Sequence, residues 1–407
     1  MNTNILGRIF AGVVFIGSVI LFITGHSYAA EGSSTATGLS KAFNPSIGAN
    51  ALFLGTYTSN SEKTDDPHSE AFQTGLHIQE LELGLMAVVD PFLRAQVTLA
   101  MHGVENIEIE EAYVRTTSLP RGLGLEIGKF FLPFGKHNRL HTHSFPFIDG
   151  PWINSVLLGH HGLNDVGIEL SYLIPLSRFS EAAVVVFDPG EESPVVTANN
   201  KNFGYMANWR NLWDITSTTT LEWGISWVGA EASREVLHHL SSPLSHHGED
   251  DEETVHGNAG QNIFGTDITF KHVSPSPKYH SWDISTEYLQ ELVQYDTNHY
   301  AQYGGITAYG RFQVSRRWWV QGRSDVLGLP MQVPSEATEK EVENEDEKQF
   351  SNGDTPWKLS CGVALVLSEF TAIRLQYDYI DSIIQNPENR VLLQLNVTFG
   401  AHPAHSY

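Results

Sequence analysis

The sequence predicts an all-β protein: a transmembrane antiparallel β-barrel of about sixteen strands, with one loop folded into its interior. Three observations support this fold class. Apolar residues alternate with polar residues or glycine in short runs, and this period of two is typical of strands. The links between runs are alternately short and long, as in barrels whose short turns share one rim. An even strand count returns the last strand to the short-turn rim. A soluble β-sandwich, the alternative, gives no reason for this regular alternation.

The ends of the chain carry an export signal and a short tail. Residues 1–29 have the pattern of a secretory signal peptide, an apolar stretch after a positive start with small residues before a cut following Ala29. An uncleaved N-terminal membrane anchor is the alternative. We expect residues 30–42 to be a flexible leader, residues 43–399 to form the barrel, and residues 400–407 to be a C-terminal tail.

The composition restricts the compartment and the partners. The 407 residues include 24 Lys plus Arg and 47 Asp plus Glu, a formal net charge of −23. Because nucleic-acid phosphates require Lys and Arg, this balance argues against nucleic acid as a partner. Cys361 is the only cysteine, so no intrachain disulfide can form. Export without disulfides fits a protein of the bacterial envelope.

The first five strands precede the longest apolar link in the chain. Each shows the two-residue alternation, and proline turns at Pro91 and Pro120 follow the second and fourth strands. We place these strands at residues 47–57, 81–89, 93–101, 107–114 and 123–131.

The next eight strands alternate short polar turns with long links. Short links run over residues 175–178, 214–216, 274–277 and 315–316, and long links over residues 188–202, 229–262 and 327–356. We place these strands at residues 166–174, 182–187, 203–213, 221–227, 263–273, 282–288, 303–312 and 318–326.

The last three strands close the set at residues 357–365, 373–379 and 391–399. In the final strand every second residue is apolar and the last is aromatic. This pattern resembles the C-terminal signal that the barrel-assembly machinery recognises. Outer-membrane lipid and that machinery are therefore expected partners.

The link after the fifth strand, residues 132–164, is too long for an ordinary hairpin loop. It contains five histidines together with many apolar residues, two prolines and three glycines between Phe145 and Gly162. A loop this apolar must pack against protein, and we expect it to fold inward and narrow a channel.

Two short motifs resemble a known family. Gly128-Lys-Phe-Phe-Leu-Pro-Phe-Gly135, preceded by Glu111-Ala-Tyr-Val114, resembles the strand motifs of the phosphate-selective porin O/P superfamily. Phe43-Asn-Pro-Ser-Ile47 and Gly400-Ala-His-Pro-Ala-His405 resemble a poorly characterised branch of porin-like barrels called zinc-regulated or TonB-dependent outer-membrane proteins. The resemblance implies an outer-membrane porin, and a homotrimer is the assembly that it suggests.

The strand register predicts which charges face the lumen. If apolar faces meet lipid, the alternate positions line the channel, and their acids outnumber their bases by about two to one. A phosphate path needs a basic ladder instead, so we expect a preference for cations. The alternative is that these charges only hydrate the channel wall and give no ion selectivity. The predicted lumen residues are Glu80, Glu82, Glu108, Glu110, Glu126, Glu169, Glu222, Asp267, Asp283, Glu287, Asp325, Asp378, Arg94, Arg210, Lys271, Arg323, Lys358 and Arg374.

Two groups of residues are candidates for weak binding of zinc or another divalent cation. Imidazole and carboxylate suit such ions, although the spacings match no strict zinc motif. The loop candidates are His137, His141, His143, His160, His161, Asp149 and Asp165. The outer-loop candidates are His238, His239, His246, His247 and His256. The alternative is that they are ordinary polar residues of wet loops. At a constriction, the loop histidines would also gate the channel as they protonate below about pH 6.5.

The sequence therefore predicts a porin for passive passage of small hydrophilic solutes, cation-preferring and involved in divalent metal uptake. The alternative is a surface barrel that captures metal or another ligand without forming an open channel. No His-Glu-x-x-His or Gly-x-Ser-x-Gly motif is present, so we expect neither enzyme activity nor a required cofactor.

Overall fold

The computed structural model describes residues 44–59, 72–103, 106–159, 161–190, 193–195, 203–233, 258–275, 279–294, 300–332, 353–382 and 386–400. Sixteen strands lie within these residues. In chain order, β1 to β16 are Ser46–Thr58, Gly75–Val88, Leu93–His102, Asn106–Thr116, Leu123–Phe131, Asn164–Leu173, Phe179–Asp188, Gly204–Thr216, Thr219–Ser233, Asn258–His272, Trp282–Gln294, Tyr300–Gln313, Trp318–Gln332, Trp357–Ser368, Thr371–Asp381 and Glu388–Gly400. The predicted signal peptide and leader, and residues 401–407 of the predicted tail, lie outside the described residues.

The strands form one closed barrel. Each strand pairs antiparallel with its sequence neighbour, and β1 pairs with β16 to close the sheet. All backbone groups of the strands can therefore be satisfied without a free edge, which is what a sheet needs in order to cross a bilayer. This architecture confirms the predicted fold class. No described helix has the length and apolar character needed to cross a membrane.

The two-residue alternation sets the two faces of the barrel wall. On β2, Leu81 and Leu83 are exposed on the outside, whereas Glu80 and Glu82 are buried on the inside. The same pattern recurs around the barrel, as on β6, where Ile168 is exposed outside. The outer surface is thus an apolar belt suited to lipid, and the carboxylates face inward.

Several strands are longer than the sequence predicts. β11 continues to Gln294 and β13 to Gln332, and both extensions lie toward the long-loop rim. Inward residues there include Val293 and Met331, which belong to a buried apolar cluster, and also the buried Glu291. On β11, Leu289 and Val293 face inward while Gln290 and Gln294 face outward, so the alternation there is the reverse of the lipid-facing pattern that predicted the strand.

The link between β5 and β6 folds into the barrel, as predicted. It contains a 3₁₀ turn at Thr142–Ser144 and a short helix, α1, at Trp152–Leu157. Side chains of this loop pack with inward apolar residues of β7 to β13 in one buried cluster. The members of this apolar core are Phe130, Leu132, Phe134, Ile153, Leu157, Leu158, Leu163, Val185, Phe187, Val195, Met206, Val228, Ile263, Leu289, Val293, Ala301, Tyr303, Leu327 and Met331.

Candidate functional site

The loop between β5 and β6, residues 132–163, first crosses to the far wall of the barrel. The backbone N–H of Gly135 donates to Ser226 Oγ at 2.9 Å, and that of Lys136 donates to Glu287 Oε1 at 2.7 Å. His137 Nδ1 lies 2.5 Å from Glu287 Oε2, with both side chains buried. His137 is therefore held by the β11 wall, apart from the other loop histidines.

Asp149 fixes the loop to the wall formed by β13 to β15. Its Oδ1 accepts hydrogen bonds from Arg323 at 2.9 Å and from Gln376 at 2.8 Å, and Lys358 contacts its Oδ2. Burial alone would raise the pKa of Asp149. The charges of Arg323 and Lys358 outweigh burial and hold the pKa of this carboxyl well below its usual range. Asp149 thus serves as an anchor for the loop.

Arg374 provides a third attachment, through backbone carbonyls. Its guanidinium donates to the carbonyl oxygens of Phe145 at 2.8 Å, His143 at 3.2 Å and Phe147 at 3.3 Å. Three of the predicted lumen cations, Arg323, Lys358 and Arg374, are therefore engaged by the loop. Arg94 instead lies exposed near the short-turn end of β3.

Two loop histidines meet lumen carboxylates in what we term the inner cluster: Glu82, Glu110, His141 and His143. Glu80 lies beside this cluster, next to Glu82 and His143. His143 Nδ1 lies 2.9 Å from Glu82 Oε2, and His141 Nδ1 lies 3.0 Å from Glu110 Oε2 and 3.6 Å from Glu82 Oε2. Within two overlapping groups that share Glu82, the potential ligand atoms lie within 4.8 Å of one another. At a Zn–ligand distance of about 2.1 Å, tetrahedral ligands lie about 3.4 Å apart, so small side-chain shifts would complete a site.

The two imidazole rings are presented side by side. His141 and His143 stack with ring centroids 5.7 Å apart and an interplanar angle of 14°. His141 caps the 3₁₀ turn at Thr142–Ser144, and His143 lies within that turn. Two adjacent imidazoles against carboxylates are the ligand types that zinc, copper and nickel accept.

The carboxylates also set the charge state of His141. Burial alone would lower its pKa, but hydrogen bonds to Glu110 and Glu111 and the charges of Glu110 and Glu82 hold the pKa well above its ordinary 6.5. The expected protonation step of His141 near pH 6.5 is therefore moved to higher pH. The raised pKa favours the imidazolium form of His141, from which a metal ion would have to displace a proton.

A β-bulge supplies one carboxylate that the sequence analysis did not assign. The register of β3 with β4 shifts between Thr98 and Leu99, so Glu110 and Glu111 both face inward. Glu111 Oε2 lies 3.3 Å from His141 Nε2. The adjacent pair of glutamates, which interrupts the alternation of β4, was the available sequence signal for a bulge.

A second group of potential ligands, the outer cluster, consists of His102, Glu108 and His161. His102 ends β3, beside the turn to β4, and Glu108 lies on β4, opposite Ala100 and diagonal to His102. His161 Nδ1 lies 3.8 Å from Glu108 Oε2. The sequence analysis named Glu108 and His161 but not His102, because a lone histidine at a strand end carries no distinctive signal.

The remaining candidates lie elsewhere. Asp165 on β6 accepts hydrogen bonds from the Gly190 N–H at 3.0 Å and Ser193 Oγ at 2.8 Å. It therefore supports the link after β7 and does not join either cluster. Outside the described residues lie His160, His238, His239, His246, His247 and His256.

A cavity of about 530 Å³ lies between the loop and the inward wall. It reaches strand ends at the short-turn rim, such as Ser46 on β1, and it is also lined by Glu82, His141 and His143 of the inner cluster. Its other charged lining residues are Glu222, Asp267, Asp283, Lys136, Arg210, Lys271, Arg311 and Arg374. The wall of this vestibule is thus mixed in charge. Of its carboxylates, Glu82 lies on β2, whereas Glu222, Asp267 and Asp283 lie on β9 to β11.

Comparison with known proteins identifies the fold of this chain. No protein-family model matches the sequence. The chain is 26% identical over 361 residues to an uncharacterised protein of Aquifex aeolicus (strain VF5), covering 82% of this chain and 70% of that protein.

Solved structures resemble the chain in fold at low sequence identity. They include the outer membrane channel DcaP of Acinetobacter baumannii, with a TM-score of 0.55, 11% identity, and 88% of this chain and 99% of that one covered. An anion-selective porin from Comamonas acidovorans has a TM-score of 0.54 and 10% identity, covering 87% and 98%. The trimer form of OmpT, an outer membrane protein of Vibrio cholerae, has a TM-score of 0.53 and 9% identity, covering 87% and 98%. The chain therefore has the fold of the bacterial outer-membrane porins.

Proposed function

We propose that this protein is a narrow outer-membrane channel for small hydrophilic solutes, with a divalent-metal site on its inward loop. The observation that carries the proposal is the inner cluster, where His141 and His143 of the loop meet Glu82 and Glu110 of the barrel wall inside the lumen. We propose zinc as the natural ligand, bound weakly enough for the ion to leave the site and continue through the channel. A homotrimer in the outer membrane is the proposed assembly.

We also propose a preference for cations. The cations of the wall are largely engaged: Arg311 pairs with Asp283 at 2.9 Å, and Arg374 binds loop carbonyls. On the β2 to β4 wall, carboxylates outnumber the imidazoles they meet, since Glu80, Glu82, Glu110 and Glu111 gather around His141 and His143. Negative charge beside the passage attracts cations and repels anions.

Planar-bilayer recordings test the channel and its selectivity together. Across a salt gradient, the reversal potential should have the sign of cation preference. Millimolar or lower zinc should reduce the current of the wild type. The double variant His141→Ala, His143→Ala should lose that block, while His272→Ala, which alters a histidine of neither cluster, should keep it. An anion-selective reversal potential contradicts the selectivity, and unchanged zinc block in the double variant contradicts the metal site.

A second candidate function is a barrel that captures metal without conducting. The apolar core formed by the loop and β7 to β13 favours it, since this part of the interior is packed with buried side chains such as Phe134 and Leu289. A barrel of this kind should give no single-channel current when it is correctly folded, and it should bind zinc saturably. Stepwise conductance in bilayers therefore decides between the two functions.

A further inference from the structure

The outer cluster has the geometry of a second divalent-metal site. Potential ligand atoms of His102, Glu108 and His161 lie within 4.8 Å of one another. The rings of His102 and His161 meet edge to face, with centroids 5.8 Å apart. His102 is exposed, and Glu108 and His161 are partly exposed. Two imidazoles and one carboxylate form a ligand set that a zinc ion can use while keeping water in a fourth position.

The position of the outer cluster in the barrel makes this cluster accessible from outside the cell. β3 ends at His102 and β4 begins at Asn106, so the cluster lies at the rim that carries the long loops. In single-chain outer-membrane barrels that rim is extracellular. An ion arriving from the medium would therefore meet the outer cluster before the inner cluster.

Glu80 connects the two clusters. Its Oε2 lies 3.8 Å from His102 Nδ1, and its ligand atom also lies within 4.8 Å of those of Glu82 and His143. Glu80 is 1% exposed. Neither of its oxygens accepts a hydrogen bond of standard geometry from a described residue, although the Thr142 hydroxyl lies beside it. Burying a carboxylate whose oxygens lack hydrogen-bond donors costs free energy unless a cation or a proton binds to it.

The register of three strands aligns these groups. Ala100 on β3 lies opposite Glu82 on β2 and opposite Glu108 on β4. Because alanine projects little side chain, ligands from the two flanking strands share one patch of wall. Three members of the inner cluster, Glu82, His141 and His143, also line the cavity that reaches the short-turn rim.

We propose that His102, Glu108 and His161 form an outer loading site for a divalent transition-metal ion, and that Glu80 passes the ion to the inner cluster. This inference rests on the proposed metal site of the inner cluster and adds a direction to it. The ion would move from the long-loop rim through Glu80 to Glu82, Glu110, His141 and His143, and then into the vestibule.

Zinc stoichiometry tests the two sites separately. We would use full-length protein in which His238, His239, His246, His247 and His256 are alanine, so that the histidine-rich loop does not contribute. Equilibrium dialysis against zinc chloride should give two bound ions per chain. The variant His102→Ala, His161→Ala should lose one ion and keep the other. The variant His141→Ala, His143→Ala should lose the complementary ion. Heat-modifiable gel mobility checks that each variant is folded.

Transfer through Glu80 is tested by zinc uptake into proteoliposomes. Glu80→Gln should keep both ions in dialysis, yet lower the initial rate of uptake by at least about tenfold, in line with the sensitivity of metal sites to altered surroundings. Glu369→Gln, an exposed carboxylate in the turn between β14 and β15, should leave the rate unchanged. An unchanged rate in Glu80→Gln overturns the role of Glu80.

The outcomes separate this inference from the proposed function. One bound ion that depends on His141 and His143 but not on His102 and His161 overturns the outer site and leaves the proposed metal site standing. No bound ion overturns both. Loss of uptake in both double variants, with two ions in the parent protein, supports the pathway.

Discussion

At the scale of single residues, the lumen is organised by ion pairs between the loop and the wall. Asp149 lies 174 positions before Arg323 in the chain, and no local pattern announces their contact. The sequence analysis placed Arg323 in the lumen and offered Asp149 as a metal ligand. The structure shows the two bound to each other, because a loop carboxylate and a buried guanidinium satisfy one another better than either would alone.

Replacing Asp149 should release this part of the loop. In Asp149→Asn, the buried cations Arg323 and Lys358 lose a shared partner, and breaking a buried pair typically costs about 3–5 kcal/mol. We expect larger and noisier single-channel currents than in the wild type. Asp188→Asn, at an exposed strand end, serves as the matched control and should behave as wild type. Identical current noise in Asp149→Asn would show that this anchor does not hold the loop.

The pH dependence of the anchor follows from the low pKa of Asp149. A carboxyl whose pKa is lowered on folding stabilises the folded state fully above its ordinary value of 3.8. That contribution is lost as the pH falls from there toward the lower pKa of the folded state. Wild-type current noise should thus stay constant between about pH 5 and 8 and rise below about pH 4. Asp149→Asn should lack this acid step.

At the scale of elements, the two-residue period predicted the centres of the strands. It failed to predict those parts of strands that do not have lipid on the outer face and water on the inner face. β5 was predicted with its observed bounds, Leu123–Phe131. The outer parts of β11 and β13 were missed because their inward faces pack on the loop. The bulge in β4 was missed because register depends on the partner strand. The inward loop was predicted because its apolar content left no other environment for it.

The loop turns at Gly135, a position that only glycine fits. Gly135 has a φ of +58°, and a Cβ there would lie 2.1 Å from Glu287 Oε1. Gly135→Ala should therefore displace the loop from Glu287 and lower the thermal stability of the barrel, since left-handed backbone alone costs about 1–2 kcal/mol for alanine. Gly159→Ala isolates that backbone cost, because Gly159 has a φ of +73° and open space around it. Equal melting temperatures for the two variants would contradict the steric part of this account.

At the scale of the whole molecule, the closed barrel provides a rigid wall on which the loop displays histidines to carboxylates. The strand count, closure and lipid-facing register follow from sequence periodicity, whereas the composition of each cluster depends on contacts between distant strands. Of the loop histidines, the structure brings His141 and His143 together and holds His137 elsewhere. Such partners are set by the path of the loop through the lumen, which sequence spacing does not encode.

The most direct test is a crystal structure of the protein with zinc, using anomalous diffraction measured at the zinc absorption edge. We predict an anomalous peak within about 2.3 Å of ligand atoms of His141, His143, Glu82 or Glu110. The same measurement on His141→Ala, His143→Ala should lose that peak. A well-ordered lumen without an anomalous peak at the inner cluster would contradict the central claim that the loop builds a metal site inside the barrel.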